Sequence, residues 1–353
     1  MKDRDASEYN DQMPENAAKT EELPPEAQIV EMVMAQFVSR LIHLTATLKL
    51  PDYLAEGPRT ADELAPLTAT HAPALYRVMR TLASLGLFTE DQAHRFTLQP
   101  LGAALKSGTP SHATALIMGG DLVARSLDNL LYSVQTGKTG FQNSHGMPLF
   151  DWLGSHPAEA SLFNQTMVGI HGMEPPAVAA AYNFSVFKTI ADVGGSTGNM
   201  LTAVLGRHTA PRGILFDLPH VVRAAPAFIA ERGLTDRIQI EAGSFFDRVP
   251  AGADAYILSH VIHDWNEQQC LTILGHCRRA MNAEGRLLLV EMVLPPGDTP
   301  HPGKMLDMAM LTIPGGEERT EAEYAALLDK AAFRLTRVIP TASLVSIVEA
   351  APG

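Results

Sequence analysis

The stretch ILSHVIHDWNEQQC, residues 257–270, gathers two histidines three residues apart, an acid, a tryptophan and a cysteine. Such a set is compatible with a metal site, with a general base and its orienting partners, or with structural histidines near a helix start. The strand-like run DAYILS comes just before it. We therefore expect His260 to end a strand and His263 to lie in the following loop.

A metal site fits this stretch poorly. Two histidines at i and i+3 in a strand-to-loop segment differ from the i, i+4 pair of a helical zinc motif, and further ligands would be needed. Cys270 is available, but it lies in the helical pattern Gln268–Met281, where we expect it to face the core. The sequence therefore predicts no metal. We interpret His263 as a general base, with a structural role as the alternative, and His260 as a structural residue.

Short apolar runs rich in Ile, Leu and Val surround this stretch and alternate with helical patterns, which indicates a parallel sheet in a doubly wound α/β domain. The runs are KTIADVGGS, RGILFDLP, RIQIEAGSFF, DAYILSHVI and GRLLLVEMVL. The intervening helices are predicted at Asn199–Arg207, Val221–Arg232 and Gln268–Met281. A helix at Glu321–Ala332 and strands at Phe333–Ile339 and Leu344–Glu349 complete the domain.

A glycine loop, IADVGGSTGNM, links the first of these runs to its helix. Gly194, Gly195 and Gly198 permit close approach of a ligand, and Asp217 at the end of the next run is placed to bind ribose hydroxyls. The glycines do not match the dinucleotide spacing G-x-G-x-x-G. Asp192, two residues before the first glycine, suits a cationic ligand better than a pyrophosphate. The loop therefore predicts S-adenosylmethionine, which carries an ammonium and a sulfonium; a glycine-rich turn without a ligand is the alternative.

The N-terminal part has a different texture. A helix over Gln28–Leu50 is apolar around most of its circumference, which predicts deep burial or a subunit interface. Two short helices and a small hairpin follow, in the outline of a winged helix, and residues 112–185 look mostly helical with loops at TGKTGFQNSHG and GMEPP. The predicted divisions are a disordered tail (1–26), a winged-helix-like domain (27–110), a helical connector (111–185) and the α/β domain (186–353).

Charge and composition limit the classes of partner. The chain has 353 residues, a net charge of −12 and two cysteines. The negative charge disfavours nucleic acid, since binding to nucleic acid depends on neutralising phosphates. No apolar run approaches the roughly 18 residues that a membrane span requires, so we expect no membrane contact. The few cysteines fit a reducing cytoplasm.

Six motifs occur in a fixed order and together resemble one family. They are DVGGSTG, FDLPHVV, GSFF, HVIHDWNEQQC, LLLVEMVLP and GGEERTEAEY. Over residues 28–350 the chain is similar to the plant and bacterial small-molecule O-methyltransferases typified by caffeic acid and hydroxyindole methyltransferases. The resemblance implies that residues 186–353 form a Rossmann-like S-adenosylmethionine domain, that residues 27–110 form a dimerisation domain that makes a homodimer, and that the connector at 111–185 contributes to the substrate pocket. It also implies methylation of a phenolic hydroxyl on an aromatic, polycyclic secondary metabolite, with release of S-adenosylhomocysteine.

The resemblance also implies residue roles. His263 would be flanked by two catalytic acids, Glu291 and Glu318. The alternatives are a surface acid at a strand end for Glu291 and a charge at a helix N-terminus for Glu318. Ser244 stands where the family usually has an acid, which suggests one lost hydrogen bond to the nucleoside. The cofactor would contact Gly194, Gly195, Asp217, Leu218, Ser244, Phe245, Trp265, Met167 and His171.

Methionine and aromatic side chains suit a flat acceptor. The predicted acceptor wall and its polar contacts comprise Met118, Phe141, Phe150, Phe163, Met167, Met305, Met308, Met310, Asp264 and Asp307. The alternative for each apolar member is a place in the core, and the alternative for Asp264 is a cap on the next turn.

Two other functions compete with methyl transfer. The chain could keep the cofactor and catalyse hydroxylation, decarboxylation or a pericyclic step, although a general base at His263 argues against this. It could also be a winged-helix DNA-binding regulator. The charge opposes that hypothesis, and so do the few basic residues of the helix HAPALYRVMRTLASLG, Arg77 and Arg80.

Overall fold

The computed structural model describes residues 23–353. Most of the predicted tail lies outside the described residues, but its last two residues, Pro25 and Glu26, already belong to the first helix. The N-terminal elements are α1 (Pro25–Thr47), α2 (Leu50–Ala55), α3 (Ala61–Thr68), α4 (Ala72–Ser84), β1 (Phe88–Glu90), β2 (Phe96–Leu98) and α5 (Pro100–Ala103). β1 and β2 form the expected antiparallel hairpin, so helix, helix and hairpin agree with the winged-helix outline.

Helix α1 exposes most of its apolar surface. Within α1 the buried residues are Thr45 and Ala46. Of the two predictions for this helix, deep burial and a subunit interface, deep burial within the chain is therefore wrong. By length and composition, α1 is also long and apolar enough to cross a membrane, and the expectation that no run approaches this length is wrong. Helices that pack against protein pass the same test. The large exposed apolar side chains are Ile29, Val30, Met32, Val33, Met34 and Phe37.

The middle of the chain is helical, as predicted. Its helices are α6 (Pro110–Met118), α7 (Asp121–Asp128), α8 (Leu130–Thr136), α9 (Gly140–His145), α10 (Leu149–Ser155), α11 (Pro157–His171) and α12 (Glu174–Ala181). The two predicted loops are partly helical. Thr139 starts α9 by accepting a hydrogen bond from the Gln142 N–H, and the prolines of GMEPP lie in the first turn of α12, where a missing N–H costs nothing.

A seven-stranded sheet with the order β10-β11-β7-β6-β3-β4-β5 forms the C-terminal domain. Its strands are β3 (Thr189–Val193), β4 (Arg212–Asp217), β5 (Ile238–Ala242), β6 (Ala255–Ser259), β7 (Arg286–Glu291), β10 (Phe333–Pro340) and β11 (Ser346–Pro352). The first five are parallel, as predicted, but the β10–β11 hairpin is antiparallel, so the sheet is mixed.

Apolar layers cover both faces of this sheet. The remaining elements are α13 (Asn199–Arg207), α14 (Ala225–Glu231), α15 (Glu267–Ala280), β8 (Val293–Leu294), α16 (Pro302–Thr312), β9 (Arg319–Thr320) and α17 (Glu321–Lys330). The sequence does not predict α16. β4 and β5 lie on one side of β3, and β6 and β7 lie on the other. Such a switch point in the strand order opens a crevice at the carboxyl ends of the strands. The glycine loop and the histidine stretch therefore lie side by side.

Candidate active site

The glycine loop touches the loop that follows β6. Gly194 has a φ of +74°, and a Cβ there would lie 2.8 Å from Cγ2 of Val261 and 3.5 Å from the Phe245 ring. Its N–H donates to the carbonyl of Phe216 at 2.8 Å. A residue without a side chain is therefore required for the two loops to meet.

Asp217 ends β4 and binds the backbone of the glycine loop. Its Oδ2 accepts from the Ser196 N–H at 2.8 Å, and its Oδ1 accepts from the Leu218 N–H at 2.6 Å. Burial raises the pKa of Asp217, against the effect of these two bonds. Leu218 beside it is 38% exposed, which leaves an apolar surface at the crevice.

Asp192 is the penultimate residue of β3, beneath the same loop. It is fully buried, and burial raises its pKa to about 7 against the opposing effect of the Leu201 N–H. Within residues 23–353, neither carboxylate oxygen has a partner at full hydrogen-bond geometry. A buried acid without a partner is costly unless a cation compensates it. Asp192, the glycine cradle and Asp217 together fit a cationic nucleoside cofactor.

Aromatic rings line the crevice next to the loop. The Trp265 ring centroid lies 4.8 Å from that of Phe246, 5.2 Å from Phe150 and 5.9 Å from Phe245. The Ser244 hydroxyl already has a hydrogen-bond partner nearby in the chain, since its Oγ accepts from the Phe246 N–H at 3.1 Å. The structure thus places an apolar wall of edge-to-face aromatic rings next to the glycine loop.

His263 lies at the centre of a buried cluster of acids. Its Nδ1 is 2.7 Å from Oε1 of Glu318 and 3.5 Å from Oε2 of Glu291, while its Nε2 is 3.6 Å from Oδ1 of Asp264. Glu291 also accepts from the Ile262 N–H at 3.0 Å and so fixes the turn that carries the histidine. The two glutamates predicted from the resemblance therefore flank the predicted base.

Backbone contacts bring Glu318 to this position. The chain before it packs on the histidine turn: the Glu317 N–H donates to the carbonyl of His263 at 2.9 Å, and a Cβ on Gly316 would collide with that same carbonyl. The Glu318 N–H donates to Oδ1 of Asp307 at 2.8 Å. Asp307, expected to contact the acceptor, thus uses one carboxylate oxygen to hold the Glu318 segment.

The acids of the cluster are harder to ionise than usual. Burial raises the pKa of Glu318 to about 7 and that of Asp264 to about 6, and burial together with the neighbouring Glu318 raises the pKa of Glu291 well above its usual value. Burial lowers the pKa of His263. A neutral imidazole at neutral pH follows, and a neutral imidazole can accept a proton.

A second cluster was missed by the sequence reasoning. Oε2 of Glu174 lies 2.6 Å from Nε2 of His260 and 3.1 Å from Nδ1 of His171. His260 follows β6 as predicted, but it is not isolated: its ring centroid is 3.8 Å from that of His171 and 5.1 Å from that of His263. The separation of 86 residues between Glu174 and His260 left no local signal.

The predicted acceptor residues are not equally placed. Phe163 and Met167 are half-buried on α11, and Met118 is half-buried on α6. Met308 is 38% and Met305 77% exposed on α16. Phe141 is fully buried and stacks on His145 at 4.2 Å. Its expected place in the acceptor wall is therefore wrong, and the core alternative holds.

Cys270 is also buried, with Sγ 3.2 Å from the carbonyls of Ile262 and Trp265.

Comparison with known proteins identifies the family. The O-methyltransferase domain matches residues 127–334, and the O-methyltransferase dimerisation domain matches residues 30–108. The chain belongs to the O-methyltransferase family. It is 44% identical to phenazine O-methyltransferase PhzM of Lysobacter antibioticus over 94% of this chain and 97% of that protein. It is 34% identical to the mitomycin biosynthesis 6-O-methyltransferase of Streptomyces lavendulae, over 96% and 98%.

A solved relative also contains the cofactor. The O-methyltransferase NcsB1 from neocarzinostatin biosynthesis, in complex with S-adenosylmethionine and 2-hydroxy-5-methyl naphthoic acid, has a TM-score of 0.80 and 32% identity, over 90% of this chain and 96% of that one. This O-methyltransferase is therefore S-adenosylmethionine-dependent, as its sequence predicts, and its Rossmann-like fold with an N-terminal dimerisation domain is confirmed.

Proposed function

We propose that this O-methyltransferase methylates a phenolic hydroxyl of an aromatic, polycyclic secondary metabolite, with His263 as the general base. The observation that carries the proposal is the 2.7 Å contact between Nδ1 of His263 and Glu318 inside a buried cluster. With Nδ1–H donating to the carboxylate, Nε2 keeps its lone pair for an acceptor hydroxyl.

The acceptor requires such a base. A phenol has a pKa of about 10 and is mostly protonated at neutral pH. A neutral histidine that takes the proton as the oxygen attacks contributes about 10²–10⁴-fold. S-adenosylmethionine supplies an electrophilic methyl group on a positively charged sulfur. Glu318 orients the imidazole and stabilises the imidazolium that forms, and Glu291 holds its turn in place.

The cofactor would lie along the glycine loop. Gly194 and Gly195 would offer their backbone to it, Asp217 would hold the ribose with Leu218 beside the adenine, and Phe245 and Trp265 would offer aromatic surface. The buried carboxylate of Asp192, which has no full hydrogen bond within the described part of the chain, would face positive charge. We assign contacts near the methionine end to Met167 and His171.

An aromatic acceptor is supported by the crevice wall and by the relatives. Phe150 lies 5.2 Å from Trp265, and Phe163 and Met167 stand half-buried on α11. Asp264 beside the base, and Met305, Asp307 and Met308 on α16 remain assigned to the acceptor side. The relatives act on a phenazine and in mitomycin biosynthesis, and NcsB1 is bound to a naphthoic acid. These names favour fused aromatic rings.

We also propose a cytoplasmic homodimer. The matched dimerisation domain begins inside α1, and the exposed apolar residues of that helix need a covering surface. A second subunit would provide it, which explains an apolar helix without invoking a membrane.

The function is tested by incubating the enzyme with methyl-labelled S-adenosylmethionine and a panel of hydroxylated phenazines and naphthoates. We expect a labelled product one methyl group heavier, formed in step with S-adenosylhomocysteine. A transformed product without label would instead support the non-methylating alternative. That alternative is not favoured, because the relatives above are named for methyl transfer.

A further inference from the structure

Three donor atoms converge beside the proposed active site, and the proposed function does not use them as a group. They are Nδ1 of His171 at the end of α11, Oε2 of Glu174 at the start of α12, and Nε2 of His260 after β6. All three lie within 4.8 Å of one another. From these residues we propose a binding site for a divalent first-row transition metal ion, with zinc as the reference ion.

The charge of the cluster supports a cation. Glu174 is 4% exposed, and its ion-pair partners among residues 23–353 are His171 and His260 alone. Neither lysine nor arginine compensates this buried carboxylate in the part of the chain that the structure describes. Buried charges are stable when they are paired or when they coordinate metal ions. Two imidazoles and one carboxylate form a known donor set that leaves further coordination positions open.

The other nitrogen of His260 provides an independent observation. Within residues 23–353, its Nδ1 is buried without a hydrogen-bond partner, and so is Oε2 of Glu291, 4.0 Å away. A metal on Nε2 would move the ring proton to Nδ1, where it can be donated to Glu291 after a small shift. Metal-bound histidines usually donate their second ring N–H to a carboxylate or carbonyl. Occupation of the site would therefore satisfy two buried polar atoms.

The backbone also aims His260 at this point. Its φ is +53°, a conformation that non-glycine residues rarely adopt. Such strain persists only where the surrounding structure over-determines it, and it is frequent at functional sites. The site differs from a cluster of His260, His263 and Cys270, because the Cys270 thiol faces two backbone carbonyls.

A bound ion would act on methyl transfer through the cofactor. Under the proposed function His171 also contacts the methionine end of S-adenosylmethionine, so an ion held by His171 would hinder cofactor binding there. We therefore expect zinc to inhibit methyl transfer, and a chelator to reverse the inhibition.

The test uses the tag-free full chain, treated with a chelator and then titrated with Zn²⁺ and, separately, with Co²⁺. We expect one tightly held ion per chain, and a visible Co²⁺ spectrum that zinc abolishes. His171→Ala and Glu174→Gln should each weaken zinc binding by about tenfold or more, while His71→Ala, at an exposed histidine outside the cluster, should bind like the unaltered chain. Circular dichroism verifies that each variant is folded.

Two results would overturn the proposal. One is the absence of bound ion after desalting; the other is equal zinc affinity in folded His171→Ala and in His71→Ala, which would mean adventitious surface binding only. The inhibition arm has its own criterion: the zinc concentration for half inhibition should rise in His171→Ala by the same factor as the dissociation constant. Inhibition of equal strength in both variants would place the inhibitory ion elsewhere.

Discussion

Nδ1 of His263 lies 2.7 Å from Oε1 of Glu318, although 55 residues separate the two in sequence. The short parallel pairing of β8 with β9 brings the chain of Glu318 back beside the end of β7, where Glu291 stands. The two glutamates thus orient the imidazole from its Nδ1 side, while Asp264 lies 3.6 Å from Nε2 on the other side. The predictions below follow from this arrangement.

Glu318→Gln should lower kcat by about tenfold to a hundredfold with little change in the KM for S-adenosylmethionine. Glutamine keeps the shape of the side chain but cannot stabilise the imidazolium by charge. The measurement is steady-state release of S-adenosylhomocysteine with a methylated acceptor. Glu317→Gln is the matched control. Glu317 precedes Glu318 in the chain, its side chain is 57% exposed, and it pairs with Arg319. Equal activity of the two variants would exclude an orienting role for Glu318.

Gly316→Ala should reduce activity strongly, because the added Cβ collides with the carbonyl of His263 and must displace the turn of the base. Gly206→Ala, in α13, is the control: a Cβ there meets nothing within 4 Å among the described residues. Alanine in a helix is favoured over glycine by roughly 0.5–1 kcal/mol. Thermal unfolding and turnover are measured for both variants. If Gly316→Ala keeps full turnover, close packing of the two loops does not position the base.

The pH dependence of kcat/KM should have its acid limb below about 6.5, the ordinary value for histidine. Burial lowers the pKa of His263 in the folded protein, so the imidazole remains neutral and active as the pH falls through that value. Activity is then lost only when the pH passes the lowered pKa. Initial rates between pH 5 and 9, at roughly constant ionic strength, provide the profile. An acid limb centred above 7 would show that the glutamates raise the pKa of His263 instead.

Asp217→Ala should weaken binding of S-adenosylmethionine by about 1.5–3 kcal/mol, the usual contribution of hydrogen bonds to a charged group. The variant also frees the Ser196 and Leu218 N–H groups that the carboxylate now holds. Calorimetric titration measures the affinity. Asp236→Ala, an exposed acid in the same domain, is the control. Unchanged affinity in Asp217→Ala would remove this residue from the cofactor site.

Local patterns were enough to predict most of the fold. α13 has the predicted bounds, and the five parallel strands lie within the five apolar runs, because burial on both faces gives each strand an unbroken apolar sequence. The antiparallel direction of β10 and β11 has no such signature, since it depends on which edge of the sheet the hairpin joins. α16 escaped prediction because Pro302 and Gly303 open it.

The site was predictable where order along the chain carries information. His263, Glu291 and Glu318 follow from a resemblance of motifs, and the structure brings them together. Burial could not be inferred in the same way: Phe141 looked like an acceptor residue and lies in the core. Glu174 could not be linked to His260, because their contact depends on how α12 docks at the sheet.

The central claim, that His263 is the general base, is tested most directly by the single-turnover rate of methyl transfer in His263→Ala, measured with saturating S-adenosylmethionine and a confirmed acceptor. We predict a rate lower by about 10²–10⁴-fold, with cofactor affinity by calorimetry unchanged. A transfer rate close to that of the unaltered enzyme would contradict the account.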